Sequence, residues 1–499
     1  VTSSFPVTAF GPTSYDLSRP LVSMPVSMDP VEEVQRLGGV LWQGVSRLRL
    51  YDMYYEREQP LQFMIPALAA KYGDRIPQLA INWFRLVCDS YENRLDVEGF
   101  RYPGKESSDE GIQELWQANN LDEQSQQAHL ESLTLGRSYV IVGAPDIPGD
   151  APVITVESPF QVTAIRDPKR TRVVKQALKE WFEIDGSRWA NLYLPDATIT
   201  YTVEHGKWTE VDRDDHNFGV VPVVPMVNRP RTLRPDGLSE AHDLIPIIDA
   251  ANKMATDMMV SGEYHAMPRR MVFGMKQSDF EDASGNPLPA WKRDAGTLWA
   301  TENENAKAMQ FTESDLAVFH NTIRLMARLG AQLAGLPPDE LAFDTVNPPS
   351  AESRRAGETT FVKRVERKQT YLGGSWEDVI RLALRFRNGG KEDKAARSLE
   401  TQWRDAGTPT RAQMADAVVK LVTARDGQGR SIIPVEQARE DLGYGPIARD
   451  RMAKMDKAAA EAQLTAIRDS LSPAPDVTPP GAPPVTTPQQ VPDAVHTGS

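Results

Sequence analysis

The 499-residue chain holds one cysteine, Cys88, which excludes an internal disulfide framework and a multi-cysteine zinc site. Cys88 ends the apolar run Ile81-Asn82-Trp83-Phe84-Arg85-Leu86-Val87, a setting that favours a buried thiol over a nucleophile. No stretch reaches the ~18 apolar residues of a membrane span. The first residues, Val1-Thr2-Ser3-Ser4-Phe5-Pro6, lack a basic flank and apolar core, so no secretory signal is expected. Cations are in the minority: 56 Lys and Arg against 69 Asp and Glu leave a net charge of −13. That balance argues against a uniformly basic nucleic-acid binder but allows a basic surface on one element. The expectation is a soluble chain made for a reducing interior.

Signatures of catalysis are also missing. There is no phosphate loop, and Gly427-Gln428-Gly429-Arg430 lacks the preceding strand of a dinucleotide site. None of the seven histidines pairs at i, i+4, so no helical metal face is visible. No residue occupies a G-x-S-x-G nucleophile motif. Asp212, Asp214, Asp215 and His216 form either a hard-cation site or an acidic surface loop after a strand.

What is present is mostly periodicity. At ~150 residues per domain the length suggests about three folded units. Residues 1–29 lack a sustained period and predict an extended arm. Asp29-Pro30 then caps a helix whose apolar face is Val34, Leu37, Leu41, Val45, Leu48 and Tyr51. Further helices are expected at Ile76–Glu92, Asp109–Asn119 and Asp122–Leu135. The period changes at Ser138–Gly143, Pro152–Val156, Phe160–Ile165, Val173–Ile184, Trp189–Leu194, Thr198–Glu204 and Lys207–Val211, with a hairpin turn at His205-Gly206. Together these read as one antiparallel sheet on helices, an α+β unit.

From Gly237 the helical period returns, with a stripe through Leu244, Ile248, Ala251, Met254 and Met258. A second long helix is expected at Ser314–Leu333, capped by Ser314, with Leu316, Phe319, Ile323, Met326, Leu329 and Leu333 on one side. Between them lie a strand candidate, Arg269–Phe273, and turn signals at Gly285-Asn286-Pro287. After Pro337-Pro338 and Pro348-Pro349 a helix runs from Ser350 to about Leu372, broken by Gly373-Gly374 and resumed over Trp376–Arg387. Shorter helices follow at Arg411–Ala424, Pro434–Leu442 and Pro446–Leu471. Eight prolines among the last 28 residues predict a disordered tail.

The helix after Ser350 is basic. Lys363, Arg364, Arg367 and Lys368 fall on one side, opposite Phe361 and Val365. This is either a phosphate-facing surface or a solvated or intersubunit salt-bridging face. Arg269-Arg270 and Lys292-Arg293 invite the same two readings.

The stretch Pro77–Arg101, with Asn82, Arg85, Val87 and Asp89 leading into Leu95, Val97, Gly99 and Phe100, resembles the early segment of tailed-bacteriophage portal proteins, in the branch from siphophages of actinobacteria. Gly237-Leu238-Ser239-Glu240, followed by Ile245, Asp249, Asn252 and Asp257, is similar to the start of that family's stem helix. The resemblance runs from about residue 30 to 470. It implies the α+β portal fold, with a mixed α/β wing (30–236, and a long helix within 337–400), stem helices (237–265 and 312–336), a small β-containing clip (266–311) and a helical crown (401–471). It also implies a dodecameric ring at one capsid vertex, assembled in the host cytoplasm and threaded by double-stranded DNA. The partners would be the major capsid protein, the terminase and later the head–tail adaptor, with no membrane, cofactor or catalysis.

The tunnel loop would bring Phe343, Asp344, Asn347, Ser350, Arg354 and Arg355 toward the DNA. Lys363, Arg364, Arg367 and Lys368 would meet a neighbouring subunit or the lumen, and Arg269, Arg270, Lys292 and Arg293 would face the clip's partners. The alternatives are a virion scaffold or adaptor without DNA contact, and a hydrolase using Asp212 and Asp214.

Overall fold

The structure, a computed structural model, describes residues 29–59, 80–105, 108–145, 147, 149–216, 218–266, 270–273, 307–310, 316–341, 351–407, 411–425 and 429–471. The expected arm, the Ser314 cap, the turn at 285–287, the tail and the start of the helix at Ile76 lie outside them. Two compact units divide at Thr408/Pro409.

In the first unit, α1 (Pro30–Glu56) begins as its sequence dictates. Asp29 is extended, its Oδ1 accepts the Val31 N–H at 2.9 Å, and Pro30 takes the first helical position. Its buried stripe serves two cores. Val34 and Leu37 pack with Leu178, Ala190, Leu192 and Ile199 under a sheet, while Leu48, Tyr51 and Tyr54 join the main core. The next helix, α2 (Trp83–Glu92), starts later than Ile76 because Asn82 caps it, its Oδ1 accepting the Arg85 N–H at 3.1 Å. Cys88 is buried there, and burial pushes its thiol pKa up.

Strand β1 (Val97–Arg101) leads to α3 (Glu110–Ala118) and α4 (Leu121–Leu135). The β region is two sheets rather than one. β2 (Arg137–Gly143) is central to a three-stranded sheet with β3 (Val153–Glu157) and β9 (Val223–Val227). After β3 the chain turns at Ser158, whose carbonyl accepts the Val162 N–H. It then makes a five-stranded meander: β4 (Val162–Arg166), β5 (Val174–Phe182), β6 (Arg188–Tyr193), β7 (Thr198–Glu204) and β8 (Lys207–Asp214). His205 and Gly206 form the expected turn, both at positive φ. β9 escapes sequence reading because Pro222 and Pro225 mark the run as non-strand. It is an edge strand, where a missing N–H is tolerated.

A 3-10 turn (His242–Leu244) opens α5 (Ile245–Ala266), later than Gly237. Antiparallel strands β10 (Arg270–Phe273) and β11 (Lys307–Gln310) intervene before α6 (Ala317–Ala334), which packs on α5. The expected apolar side of α6 is met in part. Ile323 and Met326 pack on the core, but the fully buried residues are Ala327, Gly330, Ala331 and Ala334, while Leu316, Leu329 and Leu333 are exposed. Small residues let the backbone approach its neighbours; a Cβ on Gly330 would lie 3.4 Å from Leu244 and 3.5 Å from Leu341 of α7 (Pro338–Leu341).

The longest element, α8 (Ala351–Arg387), has 37 residues and spans about 55 Å. Gly373-Gly374 does not break it. The pair is there for close approach: a Cβ on Gly373 would sit 2.9 Å from Trp403 Nε1, and one on Gly374 2.8 Å from Arg172. Thr401 Oγ1 donates to the Gly373 carbonyl at 3.0 Å. Gly373→Ala is therefore expected to cost about 1–3 kcal/mol through overpacking, read as a lower urea midpoint at unchanged m-value. Trp403 ends β12 (Glu400–Trp403), which pairs with β1, Phe100 opposite Thr401. Residues 401–407 thus belong to the first unit.

The second unit contains α9 (Arg411–Thr423), α10 (Val435–Asp441) and α11 (Pro446–Leu471), close to the sequence expectation. Its described core is thin, with Val418 and Ala438 buried, and Arg449 reaches Glu440 at 2.7 Å. Among the described residues no helix is long and apolar enough to cross a membrane.

Candidate functional site at the root of the helical hairpin

Polar side chains converge where the α5–α6 hairpin leaves the wall of helices. The segment Gly237-Leu238-Ser239-Glu240 enters the core between β9 and α4. Asn228 N–H donates to the Gly136 carbonyl at 2.9 Å, and Glu240 N–H donates to the Leu133 carbonyl at 2.8 Å. Gly237, at φ 72°, fits because it has no side chain: a Cβ would lie 2.3 Å from the Asn228 carbonyl oxygen.

Glu240 is buried and ion-paired with Lys368 of α8. The Lys368 Nζ also donates to Asn228 Oδ1 at 2.6 Å and lies 4.7 Å from the Tyr91 ring centre. Asn228 Nδ2 donates to Glu240 Oε2 at 3.0 Å. Burial would raise the Glu240 pKa, but the Lys368 ammonium overrides it and holds the carboxyl below its ordinary range.

Further along α5 the Tyr54 hydroxyl donates to Asp249 Oδ1 at 2.5 Å, and Asn252 Oδ1 accepts the Ile81 N–H at 2.7 Å. Burial lifts the Asp249 pKa despite that hydrogen bond. Tyr51 Oη and His242 Nδ1 lie 3.0 Å apart, and burial draws the His242 pKa down. Tyr91 donates to the Ala334 carbonyl at 2.7 Å, closing the far end of α6 onto α2. Asp257 takes no part in this wiring; it pairs with Lys253 on its own helix. Chemically the cluster is a clamp: it orients a helical hairpin and offers no activated nucleophile.

The sequence-expected residues scatter around this root. Lys368 is corrected from the surface face to the core. It falls on the 361–365–368–372 spacing with buried Phe361, Val365 and Leu372, and the Glu240 carboxylate makes the position habitable for an ammonium. Of its companions, Lys363 is exposed and pairs with Glu366 at 2.6 Å, Arg364 donates to the Leu333 carbonyl at 2.9 Å, and Arg367 is exposed. Arg354 and Arg355 lie in the first turns of α8, and Arg270 begins β10. Phe343, Asp344, Asn347, Ser350, Arg269, Lys292 and Arg293 lie outside the described residues. Asp212 and Asp214 are exposed on β8, and Arg213 pairs with Asp215 at 2.9 Å. Asn228, Tyr54 and Tyr91 are unforeseen, and Tyr51 is expected on an apolar face but not as a partner of His242, because nothing local marks partners so distant in sequence.

The chain matches the family "Phage portal protein, SPP1 Gp6-like" over residues 41–443. It is 33% identical over 491 residues to the portal protein of Mycobacterium phage L5, covering 96% of this chain and 99% of that one. With the portal protein of Mycobacterium phage D29 it shares 34% over 449 residues, covering 88% and 90%. Among solved structures it is similar to chains of the virion of a native gene transfer agent particle (17% identity, TM-score 0.41, 73% of this chain and 89% of that one). It is also similar to chains of the neck of that particle, computed with C12 symmetry (16%, TM-score 0.42, 76% and 93%). With a family match over residues 41–443 and two phage relatives of 33% and 34% identity covered along most of their length, this chain belongs to the phage portal proteins, structural components of the virion rather than enzymes.

Proposed function

We propose that copies of this chain close into a ring, a dodecamer, at one capsid vertex, and that double-stranded DNA enters and leaves through its centre. Beside family membership, the outward side of α6 carries this reading. Val318, Leu325, Leu329 and Leu333 are 61%, 57%, 47% and 52% exposed. They are spaced seven, four and four residues apart, so they form one stripe opposite the Ala/Gly face packed on α5. Such an aliphatic stripe marks a surface that another chain covers. Covering it contributes on the order of 1 kcal/mol per residue, since about half of each side chain remains to be buried. Contacts that join unlike surfaces close rings when the rotation permits.

In this reading residues 30–236 and 337–407 are the wing, 237–265 and 312–336 the stem, 266–311 the clip and 409–471 the crown. The wing meets the major capsid protein. Arg269, Arg270, Lys292 and Arg293 of the clip face the terminase during packaging and the head–tail adaptor afterwards. Phe343, Asp344, Asn347, Ser350, Arg354 and Arg355 approach the duplex. A chain of net charge −13 repels DNA broadly, while a few cations hold it weakly enough to slide, because each phosphate contact strengthens binding. Assembly takes place in the host cytoplasm.

Native mass spectrometry of the purified protein tests this. The wild type is expected as closed rings and Leu325→Asp/Leu329→Asp as monomers of unchanged helicity; a wild type that stays monomeric counts against the reading. Arg354→Glu/Arg355→Glu should leave rings intact while lowering the DNA content of particles.

A further inference from the structure

We propose that the loop between β9 and the His242–Leu244 turn is a docking knob that seats on the acidic β8 edge of a second copy of this chain; the proposal rests on the ring reading above. The loop leaves and re-enters the fold at one point. Leu238 N–H donates to the Asn228 carbonyl at 3.1 Å, and Asn228 Nδ2 donates to the Leu238 carbonyl at 2.9 Å. Farther out, Arg231 and Arg234 exchange both backbone hydrogen bonds, at 3.1 and 2.8 Å, which places Thr232 and Leu233 at the apex of a tight turn. Pro230 and Pro235 fix the backbone on either side. The result is a stiff projection whose ordering cost is met on folding, not on binding.

Its tip carries Leu233, 86% exposed, between Arg231 and Arg234. Arg229 at its base pairs with Asp243 at 3.2 Å. Arg47, one helical turn before the Tyr51 that meets His242, adds a further exposed cation to that side. An aliphatic apex with flanking guanidiniums fits an apolar spot rimmed by carboxylates. A duplex would engage the arginines but give the leucine nothing to cover it.

This chain presents such a surface on β8. Along β8 and its flanks, Glu204 at the end of β7, Glu210, Asp212, Asp214 and Asp215 outnumber Lys207 and Arg213, and all seven are exposed. Among them Val211 is 52% exposed, at the register shift opposite Thr200/Tyr201. β8 is also the outer strand of its sheet. Knob and receptor are different surfaces, so their union is heterologous and propagates around a ring.

The test uses the full-length protein, with native mass spectrometry and thermal melts. Leu233→Asp, Arg231→Glu/Arg234→Glu and Asp212→Lys/Asp214→Lys should each lower the ring fraction at least tenfold at fixed concentration. Melting of the dissociated Leu233→Asp and Asp212→Lys/Asp214→Lys chains should not change, since those side chains are exposed. Joining the two charge-reversed pairs in one chain should restore rings. Wild-type ring stability in the knob variants overturns the proposal, and so does failure of the joined variant to recover. Intact rings with defective particles would assign the knob to another virion protein and equally overturn it. A wild type without rings instead defeats the ring reading itself.

Discussion

Lys368→Met should destabilise the first unit by about 3–5 kcal/mol, the cost of leaving the Glu240 carboxylate buried without its counter-ion. The substitution keeps the length and removes the charge, so packing against Tyr91 changes little and the loss is electrostatic. Adding Glu240→Gln should recover the larger part, because a neutral amide still hydrogen-bonds Asn228. Chemical denaturation at several pH values separates this from a packing defect. In the wild type the Glu240 pKa is depressed from its ordinary value of 4.5. The pair's contribution is therefore full above that value, up to the Lys368 pKa that burial draws below 10.5, and is lost as the pH falls through the lowered Glu240 one. In Lys368→Met the unpaired carboxyl instead titrates upward and protonates more readily in the fold. Its deficit should accordingly shrink as the pH is lowered from 8 toward 5. A deficit flat with pH, or below 1 kcal/mol, would show that the pair does not clamp the hairpin root.

Trp376→Ala should cost about 3–5 kcal/mol as a large-to-small change in a close-packed core. Trp376 is fully buried, stacks edge-on against Trp116 at 5.1 Å and donates its indole N–H to His129 Nε2 at 2.8 Å. Its loss therefore opens a cavity and leaves a buried imidazole nitrogen without its donor. Burial pulls the His129 pKa from 6.5 down to about 3. The native fold thus excludes a proton that the unfolded chain binds, and His129 withdraws stability as the pH falls from 6.5 toward 3. Water admitted by Trp376→Ala should let the imidazole titrate nearer its ordinary value, flattening that acid limb. Phenylalanine at 376 should restore most of the packing but not the hydrogen bond, placing its melting temperature between those of the alanine variant and the wild type.

Local pattern was enough to read α1, the β5–β8 meander and the span of α11, because their periods and caps lie within a few residues of one another. It failed where distant contacts decide. Gly373-Gly374 looks like a helix breaker until Trp403 and Arg172 are seen against it. Val223–Val227 looks like a proline-rich loop until β2 pairs with it. On α6 Ile323 and Met326 marked the packed side but Leu316, Leu329 and Leu333 did not, since hydrophobicity alone does not distinguish a face packed by small residues from one left exposed. The hairpin root was half legible. Glu240, Asp249 and Asn252 stood among the residues that resemble the family, yet their partners Lys368 and Tyr54 lie 128 and 195 positions away from Glu240 and Asp249. Lys368 in particular reads as one more cation in a basic run.

The pairing of β1 with β12 bears on biogenesis. Arg404 reaches back to Asp96 across 308 positions, so during synthesis β1 emerges long before the strand that completes its ladder. Until then Phe100 and an open backbone edge are exposed on the nascent chain, a hazard for association between chains. Closing so long a loop is slow, so completion of the first unit waits on β12: a chain ending before Glu400 should accumulate in inclusion bodies rather than as a shortened soluble protein.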